Sequence, residues 1–101
     1  MKQTLHYVID IDGTICSNTN GNYVNSVPFM DRINSINRLY EQGHKITYWT
    51  ARGANTGIDW TELTEQQLNQ WGCKYHELRM KKPAYDVWID DKAHNSERYF
   101  A

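Results

Sequence analysis

Residues 7–14 of the sequence are YVIDIDGT, an apolar run that ends in two carboxylates, Asp10 and Asp12. The short apolar segment, with Val and Ile at its end, predicts a buried strand, which we place at Leu5–Ile9. Side chains two residues apart on an extended segment point the same way, so the two carboxylates face one spot. They repel each other, and burial raises the free-energy cost of keeping both ionised.

A divalent cation beside Asp10 and Asp12 would offset this repulsion. Oxygen ligands of this kind suit Mg²⁺, which takes one or two carboxylates together with waters and substrate phosphate. A solvated turn at the end of the strand is an alternative that the pair alone leaves open. A calcium-binding EF-hand loop is excluded, because Ile15 and Gly21 stand where that loop requires Gly and Glu.

Strands and helices alternate along the rest of the 101-residue chain. The polar segment after the first strand contains Asn20-Gly21, a pair typical of tight turns, and predicts a short flap hairpin there. The order of elements predicts a single α/β domain, residues 1–101, with a Rossmann-like, open, mostly parallel sheet and helices on both faces. The later predicted elements are a helix at Phe29–Gln42, a strand at Lys45–Trp49, a helix from Asp59 to Gly72, strands at 74–78 and Val87–Ile89, and a short helix from about Lys92.

Composition and charge limit the partners and the cellular location that we expect for the protein. Eleven Lys and Arg against twelve Asp and Glu give a net charge of −1, which argues against nucleic acid as a partner. No apolar run approaches the roughly 20 residues of a membrane span, and the first residues lack the apolar core of a secretory signal. Cys16 and Cys73 lie far apart without a CxxC spacing, as expected for reduced thiols. We therefore expect a cytoplasmic protein with neither nucleic acid nor a membrane as partner.

Polar residues follow three of the predicted strands. Asp10, Thr50 and Asp90 lie at or just past strand ends, where open parallel sheets bind their ligands. In TYWTARG, residues 47–53, a hydroxyl and free backbone N–H groups would cradle a phosphate, although an ordinary strand-to-helix loop explains this segment better when it is taken alone. MKKPAYDVWIDDKAHN, residues 80–95, adds a lysine before a proline and an acidic pair at a predicted strand end.

Taken in order, these segments resemble the four motifs of the haloacid dehalogenase (HAD) superfamily: DIDGT, a strand that ends in Thr50, a lysine before Pro83, and Asp90-Asp91. DIDGT is specific, whereas the other motifs gain weight in combination. More narrowly, TARG with KPAYDVWIDDKA is similar to small members without a cap domain, which occur with sugar-phosphate and capsular polysaccharide biosynthesis. Residues 55–81 leave room for one helix and one strand, so we expect no cap domain here.

The resemblance implies a Mg²⁺-dependent reaction through an aspartyl-phosphate. Asp10 would be the nucleophile and Asp12 the general acid and base, a residue that favours phosphatases over the dehalogenase and P-type ATPase branches. Lys82, with Lys81 as its rival, would neutralise the nucleophile and the phosphate. The implied metal ligands are Asp10, Asp90, the main chain of Asp12 and, through water, Asp91; Thr50 and the Ala51 N–H would hold a phosphate oxygen, and Gly13 and Thr14 would form the turn beside the nucleophile.

Residues after the phosphate cradle and after the acidic pair could contact the leaving group of the substrate. For Arg52 a structural salt bridge is an equally good interpretation. For His94 we favour a role at the surface or behind the site. The candidates for substrate contact are Arg52, Gly53, Asn55 and His94.

We therefore expect a Mg²⁺-dependent phosphatase that hydrolyses the phosphate monoester of a small metabolite, with a sugar phosphate as the first candidate. Two alternatives stay open: a phosphatase that acts on a phosphoprotein or a nucleic-acid end, and a binding module that keeps the fold without turnover. Without a cap domain, either the flap, residues 14–27, or a neighbouring subunit must exclude water from the site. For this reason we expect a homo-oligomer.

Overall fold

The structure is a computed structural model that describes residues 3–101. None of the helices in this range is long and apolar enough to cross a bilayer. The elements, in chain order, are β1 (His6–Ile9), a 3₁₀ turn (Tyr23–Asn25), α1 (Met30–Glu41), β2 (Lys45–Trp49), α2 (Thr61–Gln70), β3 (Glu77–Arg79) and α3 (Ser96–Tyr99).

The three strands form an open, all-parallel sheet in the order β1-β2-β3. Helix α1 connects β1 to β2 and α2 connects β2 to β3, because parallel neighbours need a crossover that returns the chain to the same edge. Val8 pairs with Thr47, and Thr47 with Glu77. Asp10 and Thr50 therefore follow neighbouring strands at one edge of the sheet. The predicted fold class, a Rossmann-like open parallel α/β sheet, is confirmed.

The core lies on one face of the sheet. Ile9, Ile46 and Tyr48 are buried, and the alternation of side chains along β1 and β2 places them on that face. Ile36 of α1 and Leu68 of α2 belong to the same cluster. Each such side chain, when fully buried, stabilises the fold by about 1.5–3 kcal/mol. α1 and α2 thus both contribute side chains to the core on this face, whereas the sequence predicted helices on both faces of the sheet.

The other face of β1 is open, and so is its outer edge within residues 3–101. Val8 is 56% exposed, and β1 is the last strand of the sheet on that side. The predicted fourth strand, Val87–Ile89, is not formed: the segment pairs with no described strand, and Ile89 is 93% exposed. An apolar run favours a strand only where a neighbouring strand is available to pair with it. β3 begins at Glu77, three residues later than expected.

The flap is closed at its base and carries the predicted turn at its tip. Asn20 and Gly21 have φ angles of 55° and 95°, the two positive values that a type I′ turn requires. At the base, the Ser17 N–H donates to the Val27 carbonyl oxygen at 2.8 Å, next to an antiparallel bridge. Between tip and base the chain forms the 3₁₀ turn instead of a second long strand. The flap is therefore a pinned loop with a hairpin-like base and tip.

Candidate active site

Asp10 lies at the carboxyl end of β1, and Lys82 lies beside it. The Lys82 Nζ is 3.8 Å from Asp10 Oδ1. The Thr14 hydroxyl donates to Asp10 Oδ2 at a long 3.4 Å. The side chain of Lys82 is 13% exposed and that of Asp10 is 36% exposed. The ammonium is thus largely enclosed, while the carboxylate stays accessible to a ligand.

The main chain after β3 determines which lysine reaches Asp10. The Lys82 N–H donates to the Thr50 carbonyl oxygen at 3.0 Å, which holds this segment against the end of β2. Lys81, one residue earlier, is exposed and has a φ of 62°, a value that is uncommon outside glycine. Of the two candidate lysines, Lys82 is the one whose ammonium lies next to the carboxylate.

The carboxyl group of Asp10 sits in an environment that disfavours its charge. Burial raises the pKa of Asp10 above its ordinary value, because removal from water disfavours the ionised form. The Lys82 ammonium opposes this shift, and the charge of Asp12 adds to it. The net direction is upward, so a cationic ligand beside Asp10 would stabilise the ionised carboxylate.

Asp12 is held by a bidentate ion pair with Arg52. Arg52 Nε donates to Asp12 Oδ2 at 3.0 Å, and Arg52 Nη2 donates to Asp12 Oδ1 at 2.9 Å. Arg52 is 2% exposed, and the side chain of Asp12 is 18% exposed. Two parallel bonds fix a carboxylate in the plane of the guanidinium. Of the two interpretations of Arg52 left open by the sequence, the structure shows the salt bridge.

Helix α2 and the flap complete the surroundings of Arg52. Its Nη1 donates to Thr64 Oγ1 at 3.1 Å and to Gln67 Oε1 at 2.6 Å. The Tyr23 ring centre lies 4.6 Å from the guanidinium carbon. The Gln67 amide in turn donates to the Tyr23 carbonyl oxygen at 2.6 Å. This network was not predicted from the sequence, although a Thr and a Gln on the buried face of α2 were a signal for it, since buried polar groups require partners.

The loop after β2 is shaped by Thr50 and Gly53. The Thr50 hydroxyl accepts a bond from the Arg52 N–H at 3.1 Å, so it stabilises its own loop. Ala51 lies half-buried beside it at the same edge of the sheet. Gly53 has a φ of 80°, and a Cβ there would collide with the Ile58 carbonyl oxygen. Packing therefore accounts for Gly53, and Thr50 and Ala51 stay as the candidates for phosphate contact.

The acidic pair that the resemblance assigns to the metal does not join Asp10 in this structure. Asp90 accepts bonds from the Lys92 N–H at 2.8 Å and, at the limit of 3.5 Å, from the Trp88 indole, so its oxygens are engaged in its own turn. Asp91 is exposed. No group of three or more acidic, His or Cys side chains converges within residues 3–101. The reason is that Val87–Ile89 lies outside the sheet, so Asp90 does not follow a strand beside β1.

The remaining predicted contacts divide into two groups. Gly13 and Thr14 form the turn at Asp10; Gly13 has a φ of 79°, which favours glycine. Asn55 is exposed on the loop after Gly53, and His94 is exposed near α3. The His94 ring centre lies 5.7 Å from that of Tyr99. Only the first group adjoins the nucleophile candidate.

The oxygen donors beside Asp10 fit a Mg²⁺ ion that has few protein ligands. At phosphate-binding sites this ion takes one or two carboxylates and completes its shell with water and phosphate. Asp10 offers an accessible carboxylate. Arg52 bonds both oxygens of the Asp12 carboxylate and holds it in its own plane, so the main-chain carbonyl oxygen of Asp12 is the candidate ligand, as the resemblance implies. Asp90 and Asp91 add nothing to this donor set as the structure describes it.

Two aromatic rings flank Lys82 on its outer side. The Lys82 Nζ lies 5.2 Å from the centre of the Tyr85 ring and 5.5 Å from that of Trp88, within cation–π range. Tyr85 is 49% exposed and Trp88 is 42% exposed, so both present ring surface to solvent beside the site. Neither ring was expected at the site: Trp88 falls in the predicted strand Val87–Ile89, and Tyr85 lies in the segment before it.

Comparisons with known proteins support the fold. No protein-family model matches the chain, and no curated protein matches it. Among solved structures, a crystal structure of a target protein from Vibrio cholerae is similar, with a TM-score of 0.85 and 24% identity. The similarity covers 97% of this chain and 89% of the other chain. At this identity the similarity shows the fold alone.

Proposed function

We propose that the protein is a Mg²⁺-dependent phosphatase that hydrolyses the phosphate monoester of a small metabolite through an aspartyl-phosphate. The observation that carries this proposal is Asp10, an accessible carboxylate at the carboxyl end of β1 with the Lys82 ammonium 3.8 Å away. The resemblance of DIDGT and of the lysine before Pro83 to HAD motifs supports it.

The reaction divides into two displacements at phosphorus. In the first, an Asp10 oxygen attacks phosphorus, the ester P–O bond breaks, and the leaving oxygen takes up a proton. In the second, water attacks the aspartyl-phosphate, loses a proton, and releases inorganic phosphate and free Asp10. Asp12 is the candidate for both proton transfers. In the first step Asp12 gives its proton to the leaving oxygen; in the second its carboxylate, both of whose oxygens accept bonds from Arg52, takes a proton from water.

Positive charge around the phosphoryl group lowers the barrier, because negative charge spreads over its equatorial oxygens. Lys82 supplies one such charge from an enclosed position. A Mg²⁺ ion held by the Asp10 carboxylate and the Asp12 main-chain carbonyl oxygen supplies further neutralisation when bound. Thr50 and the Ala51 N–H, at the same edge of the sheet, are the candidates to orient a phosphate oxygen.

Features around the site support a small substrate that carries a ring next to its phosphate. Tyr85 and Trp88 present exposed ring surface beside Lys82, and aromatic faces pack well against flat apolar surfaces. A sugar phosphate is the first candidate on this basis. The proposal also includes a cytoplasmic location, which the free thiols Cys16 and Cys73 support.

A second candidate is a phosphatase that acts on a macromolecular phosphate, such as a phosphoprotein or a nucleic-acid end. The observation that favours it is the exposure of Asp10, 36% of its side chain, in a domain whose described residues contain no inserted cap. The net charge of −1 favours a phosphoprotein over nucleic acid within this candidate.

Phosphate release tests the proposal directly. The substrates are p-nitrophenyl phosphate, a panel of sugar phosphates, a phosphopeptide and a 5′-phosphorylated oligonucleotide, each with Mg²⁺ and with EDTA. We expect release that requires Mg²⁺ and is abolished by Asp10→Asn, while Asp31→Asn, at an exposed position of α1, retains activity. Release that persists in Asp10→Asn would show that Asp10 is not the nucleophile. A folded wild-type protein that hydrolyses none of the substrates would favour a binding module.

The two neighbouring lysines give a matched test of the charge beside Asp10. We expect Lys82→Met to lower kcat/KM about hundredfold, because one preorganised positive charge next to the phosphoryl group is lost. Lys81→Met removes the same charge from an exposed position and should change kcat/KM less than threefold. Equal losses in the two variants would contradict the assigned role of Lys82.

A further inference from the structure

A buried glutamine on α2 is bonded to both the loop after β2 and the flap. Gln67 is 6% exposed, and both ends of its amide are used. Its Oε1 accepts a bond from Arg52 Nη1 at 2.6 Å, and its Nε2 donates to the Tyr23 carbonyl oxygen at 2.6 Å. Arg52 in turn holds the carboxylate of Asp12, and Tyr23 belongs to the flap.

Gln67 lies on the buried side of α2, where a polar side chain without hydrogen-bond partners would destabilise the fold. Leu68, the next residue, is fully buried in the core. An apolar side chain of similar size would fill the same space, but it would leave Arg52 Nη1 and the Tyr23 carbonyl oxygen without these bonds. What the amide adds is direction, because its acceptor and its donor each specify one partner in one geometry. Asp12 and the flap are thereby held relative to the same point on a helix.

The contacts of Arg52 extend this arrangement. Its guanidinium packs 4.6 Å from the centre of the Tyr23 ring, and the same ring meets Trp60 edge-on at 5.1 Å. The flap therefore contacts the group that holds Asp12 through a ring as well as through Gln67. A displacement of the flap at Tyr23 would disturb both the amide and the guanidinium.

We propose that Gln67 is a positioning residue that orients the Asp12 carboxylate through Arg52 and anchors the flap at the site through Tyr23. The proposal rests on the proposed function for its effect on turnover, whereas the anchoring of the flap does not depend on it. The two roles use opposite ends of the amide. A substitution that keeps one end and removes the other therefore separates them.

The experiment compares three variants. Gln67→Glu keeps an acceptor for Arg52 but loses the donor to Tyr23, and Gln67→Met loses both. Gln66→Met makes the same apolar substitution at an exposed neighbouring position of α2 and serves as the control. The measurements are kcat and KM with p-nitrophenyl phosphate and Mg²⁺, amide hydrogen exchange of residues 12–26, and the melting temperature.

We expect Gln67→Met to lower kcat about ten- to hundredfold and to speed amide exchange in the flap about tenfold, the effects of losing one bond to a charged group and one neutral bond. Gln67→Glu should show the faster flap exchange and a raised KM, with kcat within about threefold of the wild type. This rescue of kcat by the variant that keeps the acceptor is a result that a merely structural role would not give.

The outcomes that overturn the proposal are distinct from those that overturn the phosphatase function. If flap exchange in Gln67→Met equals that in Gln66→Met, the anchoring role is wrong. If Gln67→Glu loses as much kcat as Gln67→Met while both remain folded, the positioning of Asp12 is wrong. If the wild type hydrolyses nothing, the phosphatase function fails, and the exchange of residues 12–14 and of the flap still tests whether Gln67 holds both segments.

Discussion

Burial raises the pKa of Asp10, and this shift has a consequence for stability. Between the ordinary value of a carboxyl group and the raised value, the folded protein binds more protons than the unfolded chain. The stability associated with the protonated form is therefore present at low pH and is lost as pH rises through the raised pKa. At neutral pH, the ionised carboxylate makes the fold less stable than a neutral side chain of the same shape would.

We accordingly expect Asp10→Asn, with EDTA present, to melt at a higher temperature than the wild type at pH 7. At about pH 3 the two proteins should melt together, because Asp10 is then protonated in both the folded and unfolded states. Calorimetry across this pH range gives the comparison, and Asp31→Asn, at an exposed position, corrects for general effects of charge. A lower melting temperature for Asp10→Asn at pH 7 would show that the Lys82 ammonium outweighs burial.

Gly53 and Gly57 offer a matched pair for the loop after β2. Both have positive φ angles, 80° and 74°, but a Cβ meets the Ile58 carbonyl oxygen only at Gly53, with nothing within 4 Å at Gly57. We expect Gly57→Ala to lower the free energy of unfolding by about 1 kcal/mol from the backbone conformation alone. Gly53→Ala should lower it by about 3 kcal/mol or more, because the clash adds to that term. Urea denaturation measures both, and equal losses would contradict the close contact.

Among the elements, those with strong local patterns were predicted well. The bounds of β1, α1 and β2 lie within a residue of the expected ones, since apolar periodicity, Pro28 and Gly43 mark them in the sequence. The Arg52–Asp12 pair joins residues 40 apart in sequence, and no local pattern reveals whether an arginine in a loop turns inward. The same limit applies to Val87–Ile89, whose apolar pattern predicts a strand but does not provide a partner for it.

The segment Val87–Ile89 and the outer edge of β1 lead to a prediction of their own. Val87 and Ile89 are 74% and 93% exposed, and the edge of β1 is unpaired within residues 3–101. Exposed apolar residues and an unpaired strand edge both favour association. We expect Mg²⁺ with inorganic phosphate to slow amide exchange in residues 86–90, as the segment pairs beside β1 and brings Asp90 towards Asp10. Exchange that is the same with and without these additions would count against the fourth strand.

For the whole molecule, the open site and the exposed apolar residues predict self-association. Val8, Val87 and Ile89 are all more than half exposed, and exposed apolar side chains favour association where they form a patch. A second copy of the chain would cover them and limit access of water to Asp10. We expect light scattering at assay concentration to give a dimer or larger species, and Ile89→Asp to shift it towards the monomer. A wild-type monomer would contradict the prediction.

The construction of the flap also determines where this small domain tolerates added chain. Its base is fixed at Ser17 and Val27, and its anchors to the site are on the side of Tyr23. The tip at Asn20-Gly21 is exposed and forms a tight turn, and exposed loop tips tolerate insertions. A foreign module grafted between these two residues would extend from the tip, and the bonds at Ser17, Val27 and Tyr23 would stay in place. The flap can therefore be lengthened at its tip while the loop after β2 is left intact.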